Sequence, residues 1–344
     1  MSIERSVLSR RRVLSSLIGP IALTACPALA QTRQVTDMAG RTVTLPATIE
    51  RVVTLGSLPV INSFVFTMGE GRTIVNGLAD FDRPHWKYQT VFAPNLAGAP
   101  TMQQPNREPN VEAILLARPD VVLTMHRESV GPLETRGVPT IFLAWREPED
   151  VKACMTLLGE VFGKPAVAQR YRRYFDGTLQ RVAAALQPVP QSARPRVLYV
   201  QPATLTQPRL IAEWWIPAAG GVSVTDDGRK AESRTFSMEQ VLLWNPDILI
   251  VVDAKDIAYV NKDRVFSQLK AVRGGRVYVV PVGAHTWANR TAEQPLTVLW
   301  AAKTFHPERF ANLDLATETA AFYRDFFRHA LNEAQVSEIL SGTL

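Results

Sequence analysis

Basic and aromatic side chains recur just past the ends of short aliphatic runs in this chain. Thr124 closes one run and is followed by His126 and Arg127, and Ala144 is followed by Trp145 and Arg146. Asn76-Gly77 leads into DFDRPHWKYQ, which brings His85, Trp86 and Tyr88. In the second half, Glu213-Trp214-Trp215 lies near the run that ends at Val200, Lys255 follows Asp253, and Val282-Gly283 leads to His285, Trp287 and Arg290. A guanidinium fork suits carboxylates and other oxyanions. An aromatic face suits a flat or greasy chelate. In open α/β sheets, ligands bind outside the carboxyl ends of the strands. His85, Trp86, Tyr88, His126, Arg127, Trp145, Arg146, Trp214, Trp215, His285, Trp287 and Arg290 therefore form a candidate ligand-binding set.

Enzyme signatures are missing around this set. There is no phosphate loop, no Gly-x-Ser-x-Gly elbow and no His-Glu-x-x-His pair. Gly69-Glu70-Gly71 follows a helical pattern and lacks the third glycine of a dinucleotide loop. The five histidines are scattered. Neither a catalytic residue, a metal site nor a cofactor is assigned. The only cysteines are Cys26 and Cys154, which excludes a Cys-rich metal site.

The elements that must position the candidate set are written twice. VEAILLARPDVVLT (Val111 to Thr124) returns 127 residues later as MEQVLLWNPDILIV, so that Glu112 matches Glu239, Leu115-Leu116 match Leu242-Leu243, and Pro119-Asp120 match Pro246-Asp247. Asn110 and Ser237 stand where N-caps belong. RVVTLG (from Arg51) matches RVLYVQ (from Arg196) as the preceding strand, and VPTIFLAW matches GGRVYVVPVG as the following one. Arg72 to Gly77 also reads as a strand, and Gln34 to Leu45 as a strand pair turning at Ala39-Gly40. Strands alternating with helices imply parallel sheets. The fold expected is α/β: two similar lobes, each with a central, mainly parallel sheet, joined by one long helix. The boundaries are an N-terminal lobe over 31–163, a linker helix over 164–188 and a C-terminal lobe over 189–344. QPVPQSARP (Gln187 to Pro195) supplies the sharpest break.

Residues 1–30 read as an export signal. Arg10 to Arg12, a short apolar run and Ala28-Leu29-Ala30 follow the basic, apolar, small-residue order. Ser-Arg-Arg-Arg-Val-Leu resembles a twin-arginine leader. Two cleavage readings stand: after Ala30, giving a soluble periplasmic protein, or before Cys26 within Leu23-Thr24-Ala25-Cys26, giving a lipid-anchored one. The leader holds four arginines and one glutamate, so about +3 of the net +6 belongs to the rest of the chain. That is no nucleic-acid footprint. Hydrophobic residues at 46% and charged residues at 20% are those of an ordinary globular chain.

Together, VTDMAGRTVTLPATIERVVTLGS, NVEAILLARPDVVL, SMEQVLLWNPDILIV, PLTVLWAAKTFHPERF and FYRDFF resemble the periplasmic substrate-binding proteins of iron-complex ABC importers, which include cobalamin, haem and some oxyanion binders. The resemblance implies a ligand cleft between the lobes, no catalytic site and an ABC permease dimer as partner; the family has no one fixed ligand set, and the strand-end Arg and Trp set points to an iron complex or similar metal chelate as ligand. It also implies that Glu112 and Glu239, one outward carboxylate per lobe, dock on the permease. A monomer is expected. The sequence offers no dense cluster of Asp, Glu and His for a bare metal ion. The alternatives are an exported α/β hydrolase-type enzyme and a binder of an oxyanion such as molybdate.

Overall fold

The computed structural model describes residues 32–343 except 79, 82, 209–211 and 229–232. The export leader and Cys26 lie outside the described residues. β1 (Thr32–Thr36) and β2 (Thr42–Pro46) form an antiparallel hairpin. The Asp37 side chain closes its turn by accepting from the amides of Ala39 and Arg41.

The first half then runs β3 (Val52–Leu55), α1 (Leu58–Thr67), α2 (Lys87–Phe92), α3 (Val111–Ala117), β4 (Val121–Thr124), α4 (Val130–Glu134) and β5 (Thr140–Phe142). α5 (Pro148–Val161) and α6 (Pro165–Leu186) follow. The second half opens with β6 (Arg196–Val200), β7 (Thr206–Pro208), α7 (Trp215–Ala218), β8 (Val222–Ser223) and β9 (Ser233–Thr235). It continues with α8 (Met238–Trp244), β10 (Ile248–Val251), α9 (Ala254–Lys262), α10 (Lys270–Arg273) and β11 (Val277–Val279), then ends in α11 (Gln294–Phe305), α12 (Leu315–Asp325) and α13 (Glu333–Ser341).

Two parallel sheets result, ordered β3-β4-β5 and β11-β10-β6-β8. The duplication is thus topological: β3, α3, β4 and β5 correspond to β6, α8, β10 and β11. β3, β4 and β10 are buried at every position, which explains their unbroken aliphatic sequences.

α6 carries the chain from one half to the other. Pro165 occupies its first turn, where a missing N–H costs nothing. Its buried residues, Ala168, Tyr171, Phe175, Thr178, Val182 and Leu186, fall at intervals of three and four, one face of a helix. That face packs on α5 and α11. One apolar core continues through both halves, and residues 32–344 form one compact unit.

The matching caps have matching jobs. Asn110 accepts from the Ala113 amide, and Ser237 from the Gln240 amide. Gln240 returns a bond to the Ser237 amide, completing a capping box that belongs to the glutamine and not to Glu239. Both helices end on a left-handed residue, Arg118 or Asn245. Asp120 accepts from the amides of Glu50 and Arg51 at 2.7 and 2.8 Å, while Arg51 Nε donates to Ala117 O. Asp247 accepts from the Arg196 amide at 2.8 Å, while Arg196 Nη2 donates to Trp244 O. Each Pro-Asp therefore ties a helix end to the start of the neighbouring strand. The Leu pairs have no such duty. Leu116 is 85% exposed and Leu243 82%, with Leu115, Leu242, Glu112 and Glu239 exposed beside them.

Arg72 to Gly77 is not a strand. Ile74 makes a single bridge to Val52. Beyond it the Asn76 side chain replaces the backbone, accepting from Thr54 N and donating to Thr54 O at 2.9 and 2.8 Å. The β7-β9 ribbon and β8 were not expected from the sequence. Each has only two or three residues per strand, too few to show an alternation.

Candidate functional site

β3 delivers the chain to Gly56, whose φ of +98° suits glycine. A Cβ there would come within 2.7 Å of Met125 Cγ and 2.9 Å of His126 Cδ2. Gln103 clamps this peptide, accepting from Gly56 N at 2.8 Å and donating to Gly56 O at 3.1 Å. Gly56→Ala is expected to destabilise the fold by about 1–3 kcal/mol through the forbidden φ alone. A chemical-denaturation midpoint equal to that of the parent would contradict this.

α1 starts immediately after Gly56. Ser57 is its N-cap without a side-chain bond, and Pro59 has no N–H. The Leu58 N–H and the Ser57 hydroxyl are therefore the donors offered at this positive end of the helix. Gly56 to Pro59 line a cavity of about 640 Å³ together with Asp80, Trp86, Gln103, Arg107 and His285. Arg107 sits in a turn at φ +71°. The Trp86 and His285 rings meet across the boundary between the halves, 5.5 Å apart and tilted by 51°, and His85 packs on Trp86 at 4.5 Å.

Burial pushes His285 down to about 4, so its ring is neutral at pH 7. His85 is also lowered, by burial first and against the opposing pull of Asp253. Among the described residues the cavity thus combines amide and hydroxyl donors at a helix start with Arg107, beside a neutral His285 ring whose Nδ1 donates to Thr286 O at 3.3 Å. Asp80, the carboxylate on its wall, lies 3.5 Å from Arg83. The arrangement can hold an anion by hydrogen bonds. Among the described residues, no group of three His, Cys, Asp or Glu could hold a metal ion.

Of the candidate set, Trp86 and His285 line this cavity, and His85 adjoins it. His126 lies next to it, in a hollow of about 320 Å³ that shares Arg107, with its Nδ1 3.2 Å from Glu128. Arg127 and Arg146 are exposed and do not line either space. Arg290 is half-buried near His285. The remaining aromatics are packing residues. Tyr88, Trp145, Trp215 and Trp287 are in the core. The Tyr88 hydroxyl reaches Glu338, Trp145 packs edge-on against Phe64, and Trp287 donates to the Tyr323 hydroxyl. Trp214 stacks on Phe175 of α6. Gln103, Arg107 and the start of α1 are cavity residues that strand-end reasoning missed. The helix start offers backbone donors, which leave no side-chain signature. Arg107 follows Pro105-Asn106, a turn signal that does mark an unusual backbone.

Known proteins share this architecture. A profile of the family described as "Periplasmic binding protein" matches residues 72–282. The molybdate-binding protein MolA of Haemophilus influenzae is 23% identical over 323 residues, covering 86% of this chain and 91% of that protein. Its molybdate-bound structure superposes with a TM-score of 0.76, over 87% of this chain and 99% of that one. A periplasmic solute binding protein of Veillonella parvula gives a TM-score of 0.77 at 24% identity, covering 90% and 97%. CeuE of Helicobacter pylori, solved with Ni(II), gives 0.71 at 18%, covering 89% and 98%. These likenesses share the two-lobed fold, and the profile spans more than half of the sequence: the chain belongs to the periplasmic binding protein family.

Proposed function

We propose that this protein captures a compact metal-containing anion in the periplasm and delivers it to an ABC importer, without chemical turnover. The first reading is a tetrahedral oxyanion of the molybdate type. The observation that carries it is the convergence of the α1 start, Arg107 and His285 on one cavity. A helix N-terminus and an arginine fork are complementary to oxyanions, and the name of the H. influenzae relative supports the same class. A second reading, a small ferric chelate, is favoured by the cavity's size and by the Trp86 and His285 rings on its wall. A thermal-shift panel of molybdate, tungstate, sulfate, ferric citrate and haem decides between them. Binding at a hundredfold excess over Kd should add about 2.7 kcal/mol of apparent stability. Molybdate and tungstate are expected to shift the melt and ferric citrate is not. The reverse pattern selects the chelate, and no shift with any ligand removes both readings.

The two exposed patches are read as the surface that meets the permease. Each pairs an acid, Glu112 or Glu239, with two exposed leucines, and the repeat places one patch in each half. Such duplication suits a partner made of two like subunits. The hydroxyl of Ser237 holds Glu239 below the usual carboxylate range, so this acid is charged at neutral pH. We take 31–163, 164–188 and 189–344 as lobe, linker and lobe of this device. Among the described residues, no helix is long and apolar enough to cross a membrane.

A further inference from the structure

Glu293 is fully buried at the start of α11, on the loop that carries His285. Its carboxylate accepts from the Ala284 amide at 2.7 Å, from the Tyr323 hydroxyl at 2.5 Å and from the Thr291 hydroxyl. The groups around it are Tyr323 from α12, Tyr171 from α6, Ser63 from α1, and Thr291 and the His285 backbone from its own loop. It forms no ion pair among the described residues. The site is tight, since a Cβ on Gly283 would lie 1.9 Å from the Tyr323 oxygen and 2.2 Å from Glu293 Oε1.

Ala284 precedes His285 and is held from both sides. Glu293 takes its N–H. Gln89 of α2 donates to its carbonyl at 2.6 Å. Gln89 in turn accepts from Asn62 of α1, and Asn62 accepts from Thr54 of β3, each at 2.9 Å. All three polar side chains are fully buried. The backbone at His285 is therefore registered against the first sheet on one side and against Glu293 on the other.

The same carboxylate reaches α1 through Thr291. Thr291 Oγ1 lies 3.3 Å from Ser63 Oγ. Ser63 donates to Val60 O and accepts from the Ala292 amide at 3.1 Å, which leaves it one lone pair for a further donor. With Glu293 ionised, the Thr291 proton points at the carboxylate. With Glu293 protonated, the carboxyl O–H donates to Thr291, and the Thr291 proton turns to Ser63. We propose that Glu293 is a positioning residue for His285, and that its protonation switches a hydrogen bond between the second-half loop and α1. The name His285 carries in this proposal rests on the cavity reading above.

Burial pushes Glu293 up to about 7, against the opposing pull of its hydroxyl and amide donors. The folded protein thus holds this proton more tightly than the unfolded chain. The linked stability is fully present below the ordinary carboxylate range and is lost as pH rises through about 7. His285, lowered to about 4, stays neutral across the upper part of that window.

Amide hydrogen exchange on the full chain, corrected for intrinsic rates, tests the switch about 1.5 units below and above that value. On the acid side, Ala292 should gain several-fold protection as Thr291 joins Ser63. Ala284 should lose protection, because its acceptor is no longer charged. Glu293→Gln mimics the protonated acid, and both amides should then be fixed at their acid-side values. Thr291→Val should erase the change at Ala292 and keep that at Ala284, which separates the switch from general loosening. Equal pH responses in the parent and Glu293→Gln would overturn the proposal. If that variant does not fold, an unchanged Ala292 response in Thr291→Val would do the same. No cargo is needed, so a failure of molybdate to bind bears on the cavity reading alone.

Discussion

Reversing the charge of both acids, Glu112→Lys with Glu239→Lys, is expected to reduce uptake by about tenfold or more while leaving cargo affinity unchanged. Rim charges steer encounters, and wrongly signed juxtapositions cost several kcal/mol. Neither glutamate lines the cavity, so binding has no reason to change. The structure adds what the acids alone would lack. Asn110 and Ser237 cap, Asp120 and Asp247 tie helix to strand, and the left-handed residues close the helices. Every duplicated feature has a clear folding role except the Leu-Leu pairs, while the acids contribute only the favourable placing of a carboxylate in a helix's first turn. Leucines this exposed carry no packing burden in the isolated protein, and large exposed apolar groups beside polar ones mark contact surfaces. Leu116→Ser with Leu243→Ser should therefore lower uptake too, with no loss of stability. Normal transport by both double variants, measured as accumulation of labelled cargo, would reduce the repeat to a folding unit.

Arg107→Ala is expected to weaken molybdate binding by about ten- to a hundredfold, the effect of losing about 1.5–3 kcal/mol of charged hydrogen bonding. The backbone there is left-handed for either residue, so the substitution adds no strain. A melting temperature equal to the parent's would show that the loss is in the site and not in the fold. Arg127→Ala and Arg146→Ala serve as comparisons, since both side chains are exposed and away from the cavity wall. Isothermal titration that finds Arg127→Ala weaker than Arg107→Ala would move the site away from both spaces that Arg107 lines.

The fold was legible because the same physical sentence occurs twice. An N-cap, a short helix, Pro-Asp and an aliphatic run each have a local cause, and their order gives the parallel sheets. Arg72 to Gly77 misread as a strand because Asn76 supplies strand-like bonds from its side chain, which an aliphatic pattern does not encode. The site was half legible. Trp86 and His285 were expected at strand ends and do line the cavity, although the segment before Trp86 is not a strand. Tyr88, Trp145, Trp215 and Trp287 stand in equivalent places but turn inward, because a large ring satisfies a core as well as a cleft. Glu293 gave no sequence signal at all. An acid before a helix is commonplace, and only the convergence of Ala284, Thr291 and Tyr323 shows its setting.

On the proposed reading a compact anion sits where α1, Arg107 and His285 meet. Anomalous scattering at the molybdenum edge from molybdate-soaked crystals tests it directly. One strong peak is expected in the cavity, beside His285 and within hydrogen-bond reach of the Leu58 amide and Arg107. A cavity without a peak, while solution titration shows binding, would contradict it and place the cargo elsewhere on the molecule.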